Sequence, residues 1–509
     1  MKAVLKKFLF IHWDALLASI GGCLFIYYFT RHSGIGISPD SVTYLSTADN
    51  IRDNFSFTDF NGLPMVDFPL GYPSLLAIIS LLTGTEVIQL IPILNCILFT
   101  GVIILTSVII QGSQQILPVY KSLFLTLIAS SPCLLEVYSM LWSETVFLFL
   151  ILLFIVAIRN YLDSKNLANL LLVTIIVSVA LVTRYAGICL LGTGLFILLF
   201  DGDLTLKRKI KHSIFFTLIS CSLLITNLIR NSKANGNLTG IREKSIHSVI
   251  EILHEIGNTI SEWLPFFKNQ ERMVSFLFII ILFFGILFLF YRILQQQYFH
   301  NYETILLCFF VLYACFIIMM ASFSRFENLS SRLLSPMYIP FLLVVSQWLL
   351  AFQPKFVRMK RVALLFLLLI YYGGFHYHHF RLNAEAWEGI KDAGIPGYTE
   401  DSWAKSPAIT YIKTNKAQFN DLVIANANDA VYFLTGIHAA SLPHKEIAGE
   451  VNAFLKKNSF YLFWFVDGEN ADLVSLEFIK SKKNLKLVKE IERNQIFFVT
   501  DKTSHSSAK

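Results

Sequence analysis

The sequence predicts an α-helical polytopic membrane protein, with about eleven transmembrane helices and a small α/β domain at the C-terminal end. Three observations lead there. Of 509 residues, 55% are hydrophobic and only 15% are charged, whereas a soluble chain carries about 25% charged residues. Mean hydropathy is +0.59, and the apolar residues gather into runs near the roughly 20 residues that a bilayer-crossing helix requires. Finally, lysines and arginines sit between these runs rather than in one basic patch. The net charge of +7 therefore reads as orientation signals, and nucleic acid is excluded as a partner.

Taken in order, Lys2, Lys6 and Lys7 precede the first run, and no small-residue cleavage site follows it, so it is predicted to be an uncleaved span. The predicted spans cover about 12–30, 87–110, 119–136, 143–159, 167–183, 185–200, 213–230, 273–291, 303–321, 333–351 and 361–378. The run from Tyr72 to Gly84 has only 13 residues and is expected to lie in the interface or re-enter. Lys and Arg are about twofold denser on one set of connecting segments, led by Lys207–Lys211 and Lys355–Arg361. That bias places the N-terminus in the cytoplasm and the C-terminal domain outside a plasma (inner) membrane. All seven cysteines lie in or beside apolar runs, so neither a disulfide framework nor a zinc site is expected.

Residues 1–380 form the predicted membrane domain, including a first outer loop at 31–71, and 381–509 form the outer domain. In the latter, Gly394-Ile395-Pro396-Gly397 is a loop signal. Strand-length runs follow at Leu422–Ala425, Phe460–Val466 and Ile496–Thr500, alternating with helix-like stretches at Glu446–Lys457 and Asp472–Lys482.

Charges at the outer ends of spans are the candidates for chemistry, because an ionised group there is costly without a partner or water. Asp40, just after the first span, could accept a proton; equally, it could cap a helix starting near Ser41. Glu144 opens another span, where an acidic residue also suits the helix dipole. Arg184, Arg230, Arg242, Arg325 and Arg332 share that face, each either a phosphate-binding fork or a snorkelling side chain. Asp201-Gly202-Asp203 falls on the inner side, and His376-Tyr377-His378-His379 reads better as an interfacial belt than as a metal site.

At these residues the sequence resembles the GT-C superfamily of membrane glycosyltransferases, in the branch of the protein O-mannosyltransferase-like and aminoarabinose-transferase-like enzymes. The matching pieces stand in order: Pro39-Asp40-Ser41 with Tyr44, Phe68-Pro69-Leu70-Gly71-Tyr72-Pro73, Ser143-Glu144, Thr183-Arg184-Tyr185-Ala186-Gly187, Arg230-Asn231, and Ser331-Arg332 with Pro336. The resemblance implies an inverting transfer of a monosaccharide from a polyprenyl-phosphate donor to a cell-envelope acceptor (lipid, glycan or protein). It implies Asp40 and Glu144 as catalytic residues, and Tyr44, Tyr72, Arg184, Tyr185, Arg230, Arg242 and Arg332 as substrate-binding residues. Ser41 follows Asp40 where a second acidic residue would suggest a metal, so no metal and no cofactor is expected. The alternatives are a polysaccharide ligase or polymerase and a lipid-linked sugar transporter.

Overall fold

The computed structural model describes residues 10–113, 118–240, 244–267, 269–295, 299–325, 328–351, 358–468 and 470–502. The apolar runs fold as helices: α1 (Trp13–Thr30), α2 (Pro39–Asn54), α3 (Gly71–Thr83), α4 (Val87–Gly112), α5 (Pro118–Ala129), α6 (Pro132–Tyr138), α7 (Glu144–Ser164), α8 (Leu167–Thr183), α9 (Ile188–Phe200), α10 (Leu206–Asn235), α11 (Val249–Trp263), α12 (Glu271–Leu294), α13 (Tyr302–Phe323), α14 (Ser331–Ala351) and α15 (Arg358–Ala393). Among the described residues, six helices are long and apolar enough to cross a membrane, and the α5–α6 pair, bent by 49°, adds a seventh if it is one broken span and not a re-entrant loop. The bend falls at Pro132, whose missing N–H and ring cannot continue the ladder. Helices α8 and α9 are shorter, and the number eleven stays an expectation from the sequence. Helix α3 has 13 residues, about 20 Å of length against a hydrocarbon core of about 30 Å.

One end of the bundle carries everything of interest. There α1 ends, α7 begins, α8 and α10 end and α14 begins, and there the C-terminal domain docks. Its sheet has the order β2-β1-β3-β5-β4, from β1 (Val423–Ala425), β2 (Ala439–Ser441), β3 (Ser459–Trp464), β4 (Lys483–Ile491) and β5 (Asn494–Asp501). Strands β1, β2 and β3 are parallel, and β5 is antiparallel to both neighbours. The three expected strands are present. The two others lack a local signal: β2 has three residues, and the hairpin β4–β5 turns on Glu492 and Arg493, which adopt positive φ without glycine or asparagine.

The boundary predicted at 380 moves to Gly394, because α15 continues to Ala393. Its polar residues find partners that keep the helix intact: Asn383 donates to the Ser130 carbonyl at 2.9 Å, and Trp387 stacks on Phe29. The glycine loop then wraps the segment before Asp40. Tyr398 donates its N–H to the Ile37 carbonyl at 2.8 Å, and the Thr399 hydroxyl donates to the Ile35 carbonyl at 3.2 Å. Gly397 has φ +131°, and a Cβ there would lie 2.4 Å from the Ile37 oxygen. Gly397→Ala combines a backbone region open mainly to glycine with a direct clash. It is expected to lower the thermal unfolding midpoint of the purified protein and to expose the 394–400 loop to protease. An unchanged midpoint and digestion pattern would refute the clamp.

Candidate active site at the domain-bearing end of the bundle

The segment leading to Asp40 is fixed before any substrate arrives. Gly36 pairs with Met140 in an isolated parallel bridge, its N–H donating to the Ser139 carbonyl at 2.9 Å. Asn95, fully buried in α4, donates to the carbonyls of Tyr138 and Met140 and holds the other side. Ser38 is the N-cap of α2 in a capping box with Ser41. Both readings of Asp40 are therefore partly met: it lies in the first turn of a helix, but the capping is done by the serines. Its carboxylate is left for other work.

That carboxylate pairs with Arg332 at the start of α14. Arg332 also donates from Nε to Glu144 Oε1 at 2.6 Å, and its guanidinium lies 4.4 Å from the Trp142 ring centroid. The second oxygen of Glu144 lies 2.6 Å from Arg184 Nη1, which donates to the Ser143 hydroxyl at 2.9 Å. Asp40, Arg332, Glu144 and Arg184 thus form one chain of alternating charge, from three helices and the end of a fourth. Each buried charge meets its opposite, the condition under which burial is tolerable. Trp142 donates to Ser38 at 2.8 Å, tying the platform under Arg332 to the cap of α2. Glu136, exposed on α6, lies within electrostatic reach of Arg332.

Exposure sorts the expected roles. The Glu144 side chain is 0% exposed, with both oxygens engaged, while Asp40 keeps 23% of its side chain open, Arg184 20% and Arg332 11%. In this arrangement Glu144 positions two arginines, and Asp40 is the carboxylate with an open face. Tyr44 is buried, its hydroxyl 3.3 Å from that of Ser143, and Tyr72 is enclosed behind it, the two rings edge to face at 5.1 Å. Neither tyrosine offers a surface for substrate binding.

Arg230 does not join the cluster. Its guanidinium donates to the carbonyls of Phe57 and Met65. Asn231 donates to the Leu238 carbonyl at 2.8 Å and to the Tyr185 hydroxyl at 3.3 Å, and Tyr185 donates in turn to Val66. Arg230 and Tyr185 therefore hold the 57–66 loop in place, away from the Asp40 chain of charges. Arg325 pairs with Asp472 of the C-terminal sheet domain. Arg242 lies outside the described residues. The discounted motifs also have structural uses. Asp201 accepts from the Phe299 N–H at 2.9 Å, and Asp203 pairs with Lys165, both at the far end of the bundle. His376, His378 and His379 turn to three different partners, Thr126, the Glu262 carbonyl and Ser130.

Asp429 joins this site without any signal along the chain. It lies in the first turn of the helix α16 (Asn428–Thr435) of the C-terminal domain, which packs against α2. Tyr398 donates to it at 2.9 Å. Burial raises the Asp429 carboxyl above the ordinary carboxylate range, the Tyr398 hydrogen bond opposes this, and the like charge of Asp40 adds to the rise. No pattern within residues 428–435 could point to a residue some 390 positions away.

The helical bundle with its docked α/β domain defines a fold class: the chain has a GT-C-like fold. It is similar over nearly its whole length to the crystal structure of apo ArnT, an aminoarabinose transferase, from Cupriavidus metallidurans, with a TM-score of 0.51, 11% identity, and coverage of 97% of this chain and 98% of that one. An oligosaccharyltransferase from Archaeoglobus fulgidus, tethered to an acceptor peptide, is matched at a TM-score of 0.49 and 12% identity over 89% of this chain and 69% of that one. No family model matches the sequence, and no curated protein matches it.

Proposed function

We propose that this protein is an inverting glycosyltransferase that moves a monosaccharide from a polyprenyl-phosphate donor to a cell-envelope acceptor at the extracytoplasmic face of the plasma membrane. The observation that carries the reading is the partly open Asp40 carboxylate, held by an arginine that a donor phosphate can claim. In the resting site Arg332 neutralises Asp40. An arriving phosphate competes for the same guanidinium, which stacking on Trp142 keeps in place. Asp40, released from its partner, becomes the stronger base.

The acceptor hydroxyl then attacks the anomeric carbon from the face opposite the phosphate. The C–O bond forms as the bond to the phosphate oxygen breaks. The proton passes to Asp40, and polyprenyl phosphate leaves with the electron pair, its added charge stabilised by Arg332 and Arg184. No metal is invoked, since two guanidinium groups supply the positive charge.

Arg184→Ala should raise the KM for the donor about tenfold or more, the worth of one charge-assisted hydrogen bond. Proteoliposomes fed radiolabelled polyprenyl-phosphate sugars would show it. An unchanged donor KM would make Arg184 only a partner of Glu144. The reading as a whole is tested by mass spectrometry of envelope lipids, glycans and glycoproteins with and without the gene. Loss of one sugar substituent supports it, whereas an unchanged envelope and no turnover of any polyprenyl-phosphate sugar refute it.

A further inference from the structure

Away from the Asp40 cluster, a groove of about 590 Å³ opens between the domain-bearing ends of α1 and α15. Its walls are aromatic, with Phe25 and Phe29 from α1 and Phe380 and Trp387 from α15. The polar groups at its back are already satisfied: Ser130, at the α5–α6 bend, accepts from Asn383 through its carbonyl and meets His379 through its hydroxyl. The mouth carries Arg31. Its guanidinium lies 4.8 Å from the Trp387 ring centroid and 5.2 Å from that of Tyr28. Trp387 is itself stacked on Phe29 with an interplanar angle of 11°.

Arg31 is exposed and has no carboxylate partner among the described residues. Other arginines at this end are engaged: Arg52 with Asp49 and Asp53, Arg325 with Asp472, and Arg332 with Asp40 and Glu144. A cation held between two rings keeps its position and its hydrogen-bonding edge without neutralisation. An apolar channel ending in such a cation, at the end of α1, has complementary features for one kind of molecule. A soluble anion would leave the aromatic walls unused, and an apolar helix would leave the charge unmatched.

We infer that this groove binds an anionic glycerophospholipid of the surrounding bilayer, one acyl chain between α1 and α15 and the phosphate on Arg31. The lipid would brace two helix ends that lead into the 31–40 segment, since Ser33 next accepts from the Ile395 N–H at 3.1 Å and the chain runs on to Asp40. The site stands independently of the transferase reading.

Native mass spectrometry of the full-length protein, exchanged into micelles with equal phosphatidylglycerol and phosphatidylcholine of matched chains, tests it. The wild type should retain phosphatidylglycerol about tenfold over phosphatidylcholine, and Arg31→Gln should erase the preference. In parallel, phosphatidylglycerol with brominated chains should quench tryptophan fluorescence in the wild type, and Trp387→Phe should remove that quenching. Equal retention of both lipids overturns the proposal, as does a preference that survives Arg31→Gln. Retention of added polyprenyl phosphate in place of phosphatidylglycerol also overturns it, by assigning the groove to the carrier lipid.

Discussion

Asp40→Asn is expected to reduce sugar transfer from a polyprenyl-phosphate donor by about 10²–10⁴-fold, the usual contribution of a positioned general base. The protein should still insert, and its thermal midpoint should change little. The asymmetry of the two carboxylates is the reason. Asp40 keeps an open face and has one charged partner, so a neutral amide of the same shape fits there and still accepts from Arg332. What the amide lacks is basicity. Raising the pH cannot restore it, so the loss should be flat with pH; full turnover by the folded variant would remove Asp40 as the base.

Glu144→Ala is expected to act on stability first. Glu144 is fully enclosed and holds both Arg184 and Arg332. Deleting it leaves two guanidinium groups without their shared counter-charge, and breaking a buried pair from one side costs about 3–5 kcal/mol. The expected results are a markedly lower unfolding midpoint in detergent and no transfer activity. Glu144→Gln keeps the shape and should recover part of the stability without the charge that sets the two arginines. A Glu144→Ala protein as stable as wild type would mean that water or lipid phosphate already screens the arginines, and that the charge chain does not organise the site.

The contrast between these substitutions shows how far sequence reading reaches. Asp40 and Glu144 look alike along the chain: each is an acidic residue at the start of a helix at the same end of the bundle. Arg230 and Arg332 look alike as well, each a lone cation at a span end. Their uses differ because of neighbours far away in sequence. Arg332 meets a carboxylate 292 residues distant, whereas Arg230 meets two carbonyls of the 57–66 loop. The end of α15 differs for the same reason: the polarity after residue 380 suggested the start of the polar domain, and packing against Ser130 and Phe29 carries the helix on to Ala393.

What the sequence determined by itself is the kind of protein: a membrane bundle, its end-of-span charges and the alternating elements of a small C-terminal domain. Hydropathy, helix length and the cost of a charge in lipid are properties of short stretches, so they can be read locally. The tertiary structure alone decided which carboxylate stays open, which arginines reach it and that Asp429 stands beside it. Those depend on which surfaces meet, and a charge's role is fixed by the partner it is buried with.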